Sequence, residues 1–111
     1  MESGVPDVGN NQVVSTNPVI LTVAPTAAPR GGTVIINGIG FSIVPEENIV
    51  FTGGAGVSAQ SWGLLDPPVN GASETITFQV PQGAAIGTGP IFVTLTSGLT
   101  TNTDIQFTVA P

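Results

Sequence analysis

The chain has 111 residues, 41% of them apolar, with fifteen glycines, ten prolines and no cysteine. One arginine faces seven acidic residues, and lysine and histidine are absent, so the formal net charge is −6. That inventory excludes disulfides and thiolate or imidazole chemistry. It also argues against nucleic acid and anionic membrane surfaces, which are bound through Lys and Arg.

The length suits one domain, which at this size buries roughly 65% of its unfolded surface. The glycine and proline content suits short strands joined by turns and argues against helices. No apolar run approaches the ~18–20 residues that span a bilayer. The first seven residues, Met-Glu-Ser-Gly-Val-Pro-Asp, have neither a basic nor an apolar region, so no cleaved leader is expected.

Residues 1–17 read as an extended arm, with Val5, Val8, Val13 and Val14 set among glycine, asparagine and proline. So few apolar groups do not offset the entropy of ordering. The valines are candidate interface residues, suited to pairing with a sheet edge of a neighbouring subunit. The domain proper is expected over residues 18–111.

Its first strand is the apolar run 19–24. There follows the stretch around which the chain is organised, 25–41. Pro25 and Pro29 fix φ and remove donors, and Gly31 and Gly32 supply a tight turn. Residues 33–36 are β-branched throughout, as in a strand entering a core. Gly38 and Gly40 are expected to bend the backbone, and Phe41 to plug the end of the core.

A loop over 42–47 holds Pro45, Glu46 and Glu47, and a strand over 48–52 stops at Gly53-Gly54. Residues 57–65 read as one further strand containing Trp62, and 66–71 as a long turn. Period-two alternation then marks strands with one wet face. Ile76, Phe78 and Val80 form one inward set; Ile91, Val93 and Leu95 a second; Ile105, Phe107 and Val109 a third.

The stretch from Pro25 to Phe41, with its Pro-Thr, Gly-Gly-Thr and Gly-x-Gly-Phe signatures, resembles the opening of the IPT/TIG family of immunoglobulin-like domains. Residues 50–54, 75–81, 87–94 and 107–109 match further family signatures in order, so the resemblance covers 18–109 and departs only at 64–72. It implies an all-β protein, an immunoglobulin-like antiparallel β-sandwich of seven to nine strands. Such domains serve many hosts, and fold alone does not name the function.

The site inventory is poor in chemistry. No serine has a side-chain base to activate it, and zinc has no His or Cys ligand. Glu46 and Glu47 are adjacent and expected to be solvated. A calcium site built from Glu46, Glu47, Asp66 or Asp104 lacks any D-x-D-x-D-G spacing, and scattered solubilising charge is the favoured alternative. No enzyme activity, metal or cofactor is expected.

Three further residues are interface candidates. Arg30 is expected to pair weakly with a carboxylate on a turn, or to anchor an interface. Trp62 is expected in the core, with an exposed platform for sugar or protein as the alternative. Phe92, out of phase with its neighbours, belongs on the outer face, covered by the arm or by a partner. The chain thus reads as a non-catalytic structural or interaction module with a protein partner or self-association. The favoured setting is a small phage virion protein that decorates or cements a capsid or tail, docking through its arm and sandwich edges; the alternative is an excised immunoglobulin-like module of a secreted cell-surface adhesin or carbohydrate-active protein.

Overall fold

A computed structural model describes residues 17–111. Ten strands and one short 3-10 turn make up the domain. They are β1 (Val19–Ala24), β2 (Ala27–Pro29), β3 (Thr33–Ile39), β4 (Asn48–Thr52), β5 (Ala55–Ser58), β6 (Ser61–Val69), β7 (Ala72–Gln79), β8 (Gly87–Pro90), β9 (Phe92–Leu95) and β10 (Gln106–Ala110). The 3-10 turn is Pro45–Glu47.

One sheet is four-stranded, in the order β1-β3-β7-β6, with every pair antiparallel. Two three-stranded ribbons, β2-β10-β8 and β5-β4-β9, face it. Only Ile91 separates β8 from β9, so the ribbons follow one another along a single line of chain. Within them β2 runs parallel to β10, and the remaining pairs are antiparallel. This is the expected sandwich. It has ten strands where seven to nine are expected, because β2 and β8 are strands in their own right and the run over 57–65 is two.

The alternation places the core as expected. Val34, Ile36, Ile76 and Phe78 from the four-stranded sheet meet Val50, Val93, Phe107 and Val109 in one buried cluster. Phe78 and Phe107 meet edge-on, with centroids 6.4 Å apart and planes at 63°. Ile105 is half-buried and packs on the rim of this cluster.

The organising stretch does more than punctuate. Ala27–Pro29, expected as a turn, forms β2 beside β10, where Thr108 N donates to Thr26 O at 3.0 Å. Gly31 turns the chain with φ +82°, and its amide donates to Val80 O at 2.8 Å. Gly38 does not bend the chain; it lies in regular β3, between Ile20 and Glu74. A Cβ there would collide with Val19 O and lie 2.8 Å from Phe41 Cζ, so glycine makes room for the buried Phe41 ring. Gly40 does bend it, at φ +81° against Pro18.

Two expectations are corrected between residues 57 and 71. The single strand over 57–65 is two, β5 and β6, in different sheets. Ala59 N donates to Asn48 O and Gln60 N to Thr77 O, and these two bonds hand the chain from one layer to the other. The long turn over 66–71 is instead the end of β6, closed by Asn70 and Gly71 at φ 52° and 86°. Positive φ at both central residues gives the two-residue hairpin that Asn-Gly favours. Pro67 and Pro68 fit because β6 is an edge strand whose register breaks between Leu64 and Val69.

Candidate functional site: an uncharged aromatic recess

In β4, Val50 points inward and is fully buried, so Phe51 points out. In β9 the same holds for Val93 and Phe92. Antiparallel register sets Phe51 directly opposite Phe92. Their rings stack with centroids 5.2 Å apart and planes at 16°. On its other side Phe51 leans over Gly56 of β5, where a Cβ would lie 2.7 Å from Phe51 Cε1. A larger residue at 56 would push the ring off the sheet.

Beyond this stack the chain parts. β4 turns back into β5 through Gly53-Gly54, while β8 leaves β4 and pairs with β10. The gap between them is an open recess of about 410 Å³, lined by Phe51, Thr52, Gly53, Gly54, Gly89, Pro90 and Phe92. Gly53 and Gly54 have φ +60° and +78°, which a turn requires. Gly89 is different: its φ lies outside the left-handed region, and a Cβ there would meet nothing within 4 Å. The packing of the domain itself does not demand glycine at 89, whereas close approach of another molecule would.

Charge is absent from this face. The outward residues of the β5-β4-β9 ribbon are Gly56, Ser58, Ile49, Phe51, Phe92 and Thr94. The only hydroxyl in the recess lining belongs to Thr52, which is buried. Among the described residues no three His, Cys, Asp or Glu side chains come together. Glu46 and Glu47 are exposed on the 3-10 turn, and Asp104 accepts from Asn102 Nδ2 at 2.6 Å.

The other candidates fall elsewhere. Among the described residues Arg30 has no carboxylate partner in its hydrogen bonding; its Nε donates to Ala84 O at 2.8 Å. Trp62 is half-buried against the core and neither fully enclosed nor a free platform. Its Nε1 donates to Glu74 Oε1 at 3.1 Å. Glu74 also accepts from Gly40 N at 3.1 Å and Phe41 N at 2.9 Å, and so ties β6, β7 and the end of β3 together. Phe92 is on the outer face as expected, covered in part by Phe51. Val5, Val8, Val13 and Val14 lie outside the described residues, as does the arm apart from Asn17. Sequence reasoning missed Phe51, although the inward Val50 beside it signals its orientation.

The family model of the IPT/TIG domain matches residues 18–109. The chain belongs to the IPT/TIG domain family. No curated protein matches the sequence. Among solved structures, the IPT/TIG chain is similar to part of the gamma-CGTase of the alkalophilic Bacillus clarkii, with 28% identity and a TM-score of 0.66. The similarity covers 85% of this chain and 12% of that one. It is also similar to part of an auxiliary nutrient binding protein from Bacteroides thetaiotaomicron, with 18% identity and a TM-score of 0.62 over 85% of this chain and 21% of that one. This IPT/TIG domain therefore corresponds to a minor portion of each neighbour. The second likeness is one of fold alone.

Proposed function

We propose that this IPT/TIG domain is a non-catalytic interaction module that binds a protein partner through the Phe51–Phe92 recess. The observation that carries this is the recess itself: two stacked aromatic rings on an uncharged face, bordered by Gly89, where no side chain of the domain needs the space. An apolar patch rimmed by polar surface is the usual mark of a contact site. The lining offers the hydroxyl of buried Thr52 and otherwise backbone groups, a poor match to the many hydroxyls of a sugar. An aliphatic or proline side chain on an extended partner segment suits it better.

The setting proposed is a bacterial protein that handles polysaccharide, working at the cell surface or outside the cell. Support comes from the 28% identity to part of a gamma-CGTase over most of this chain. In that role the domain supplies contacts and spacing, while any chemistry belongs to other parts of the assembly. Neither the fold nor the similar structures add support to a virion role, which rests on the arm.

A displayed library of random peptides, panned against wild type and against Phe92→Ala, tests the recess. Enrichment of segments centred on proline or aliphatic residues, lost in the variant, is expected. Electrophoresis through gels containing soluble starch provides the opposing arm. Retardation of wild type that Phe92→Ala abolishes would make the recess a sugar site and overturn the protein-partner assignment.

A further inference from the structure

We propose that β5 is the edge through which the domain pairs with a second copy of itself, antiparallel, so that two β5-β4-β9 ribbons run on as one sheet. This stands apart from the recess and does not depend on it. The three sheets end in six strands: β1 and β6, β2 and β8, and β5 and β9. An edge strand presents unpaired N–H and C=O groups to any incoming strand, and proteins close such edges with prolines, bulges or covering groups.

The five edges other than β5 are closed wholly or in part. The outer side of β9 is bonded to residues 99–101, where Thr101 N donates to Val93 O at 2.9 Å and Leu95 N to Leu99 O at 2.7 Å, and β8 ends on Pro90. In β1 the register shifts between Ile20 and Thr22. At Ile20 the Asn102 side chain takes the place of a neighbouring strand: Oδ1 accepts from Ile20 N at 2.8 Å, and Nδ2 donates to Ile20 O at 3.1 Å. In β6, Ser61–Leu64 keep regular register, and Pro67 and Pro68 lack N–H groups where the register breaks in the second half of the strand. In β2, three residues long, the strand ends on Pro29. By contrast β5, Ala-Gly-Val-Ser, holds regular register over its whole length, with no proline and no charge.

Charge selects a second copy as the occupant. The 3-10 turn bearing Glu46 and Glu47 leads into β4 at the end where Ile49 pairs with Ser58. Arg30 is anchored toward the opposite end. It is held on Ala84 O, while Ala85 N donates to Gly53 O at 2.9 Å and Gly83 lies against Ala55. Only Nε is used in that bond, which leaves the Nη groups for a further acceptor. Antiparallel pairing of two β5 strands sets the Ala55 end of each beside the Ser58 end of the other. The basic end then meets the acidic end twice, and complementary charge fixes the register. A parallel arrangement would bring acid to acid.

Sedimentation equilibrium of the full chain, with amide exchange followed by NMR, tests this. A dimer is expected, with slowed exchange at residues 55–58 as concentration rises. Replacing Glu46 and Glu47 by Arg should weaken it by about tenfold or more in Kd, and adding Arg30→Glu to that variant should restore it. Arg30→Glu alone should weaken it likewise. Both acidic residues are exposed, so their replacement keeps the test open even if Arg30→Glu impairs folding. Phe92→Ala should leave the dimer intact. A monomer at every concentration, a dimer indifferent to the charge exchange, or a dimer lost on deletion of residues 1–14 would each overturn the proposal.

Discussion

The ring of Phe41 occupies the space that a side chain on Gly38 would need, with a Cβ at 38 only 2.8 Å from Phe41 Cζ. Three residues apart in sequence, the two act as socket and plug at one end of the sandwich. That Cβ would also collide with the Val19 carbonyl oxygen, so Gly38→Ala should cost about 2–4 kcal/mol, well above an ordinary surface change. Urea unfolding measures it. A cost near 0.5 kcal/mol would mean that the plug is not seated as described.

Glu74 collects three donors: Gly40 N, Phe41 N and Trp62 Nε1. Glu74→Ala should remove about 1.5–3 kcal/mol of stability, because hydrogen bonds to a charged acceptor are lost together. The Trp62 emission spectrum should shift at the same time, since the indole loses its partner. Glu74→Gln keeps one oxygen acceptor and should cost less. Equal losses in the two variants would count against the hydrogen bonds as the cause.

Phe78 and Phe107 meet edge-on across the two layers. Truncating either to Ala should cost about 3–5 kcal/mol, from lost burial plus a cavity. A double-mutant cycle between them should give a coupling of about 0.5–1.5 kcal/mol. Additive losses would show that the rings pack without a specific mutual contact.

At the tip of the β6–β7 hairpin, Gly71→Ala should cost about 1 kcal/mol, since φ is +86°. Asn70→Gly should be close to neutral at φ 52°. Thermal unfolding of the two variants side by side distinguishes them. Indifference to Gly71→Ala would argue for a different turn.

These residues also show where sequence reasoning reaches. Phe78 and Phe107 were legible because alternation over five or more residues has one reading, and the Phe41 plug because Gly38 and Gly40 precede it. The Asn70-Gly71 hairpin carried a strong local signal, but Pro67 and Pro68 pointed to a turn; only the position of β6 at a sheet edge makes them harmless. The outward set of Phe92 was readable from phase. The recess was not, because its walls, Gly53-Gly54 and Gly89-Pro90, come from distant segments and meet only where β8 parts from β4. The same limit hid β2, whose three residues become a strand only by lying against β10.

That Asn102 stands in for a strand beside Ile20 has a consequence in time. Partner and edge are 82 residues apart, so β1 emerges from the ribosome long before the group that seals it. Until then its peptide groups are open to any passing strand, and β2 waits over a similar span for β10. A nascent chain that stops short of residue 102 therefore exposes a bare seam that the finished molecule never shows. Shielding at that stage has to come from elsewhere, in the way that exposed edges of incomplete chains call for chaperones.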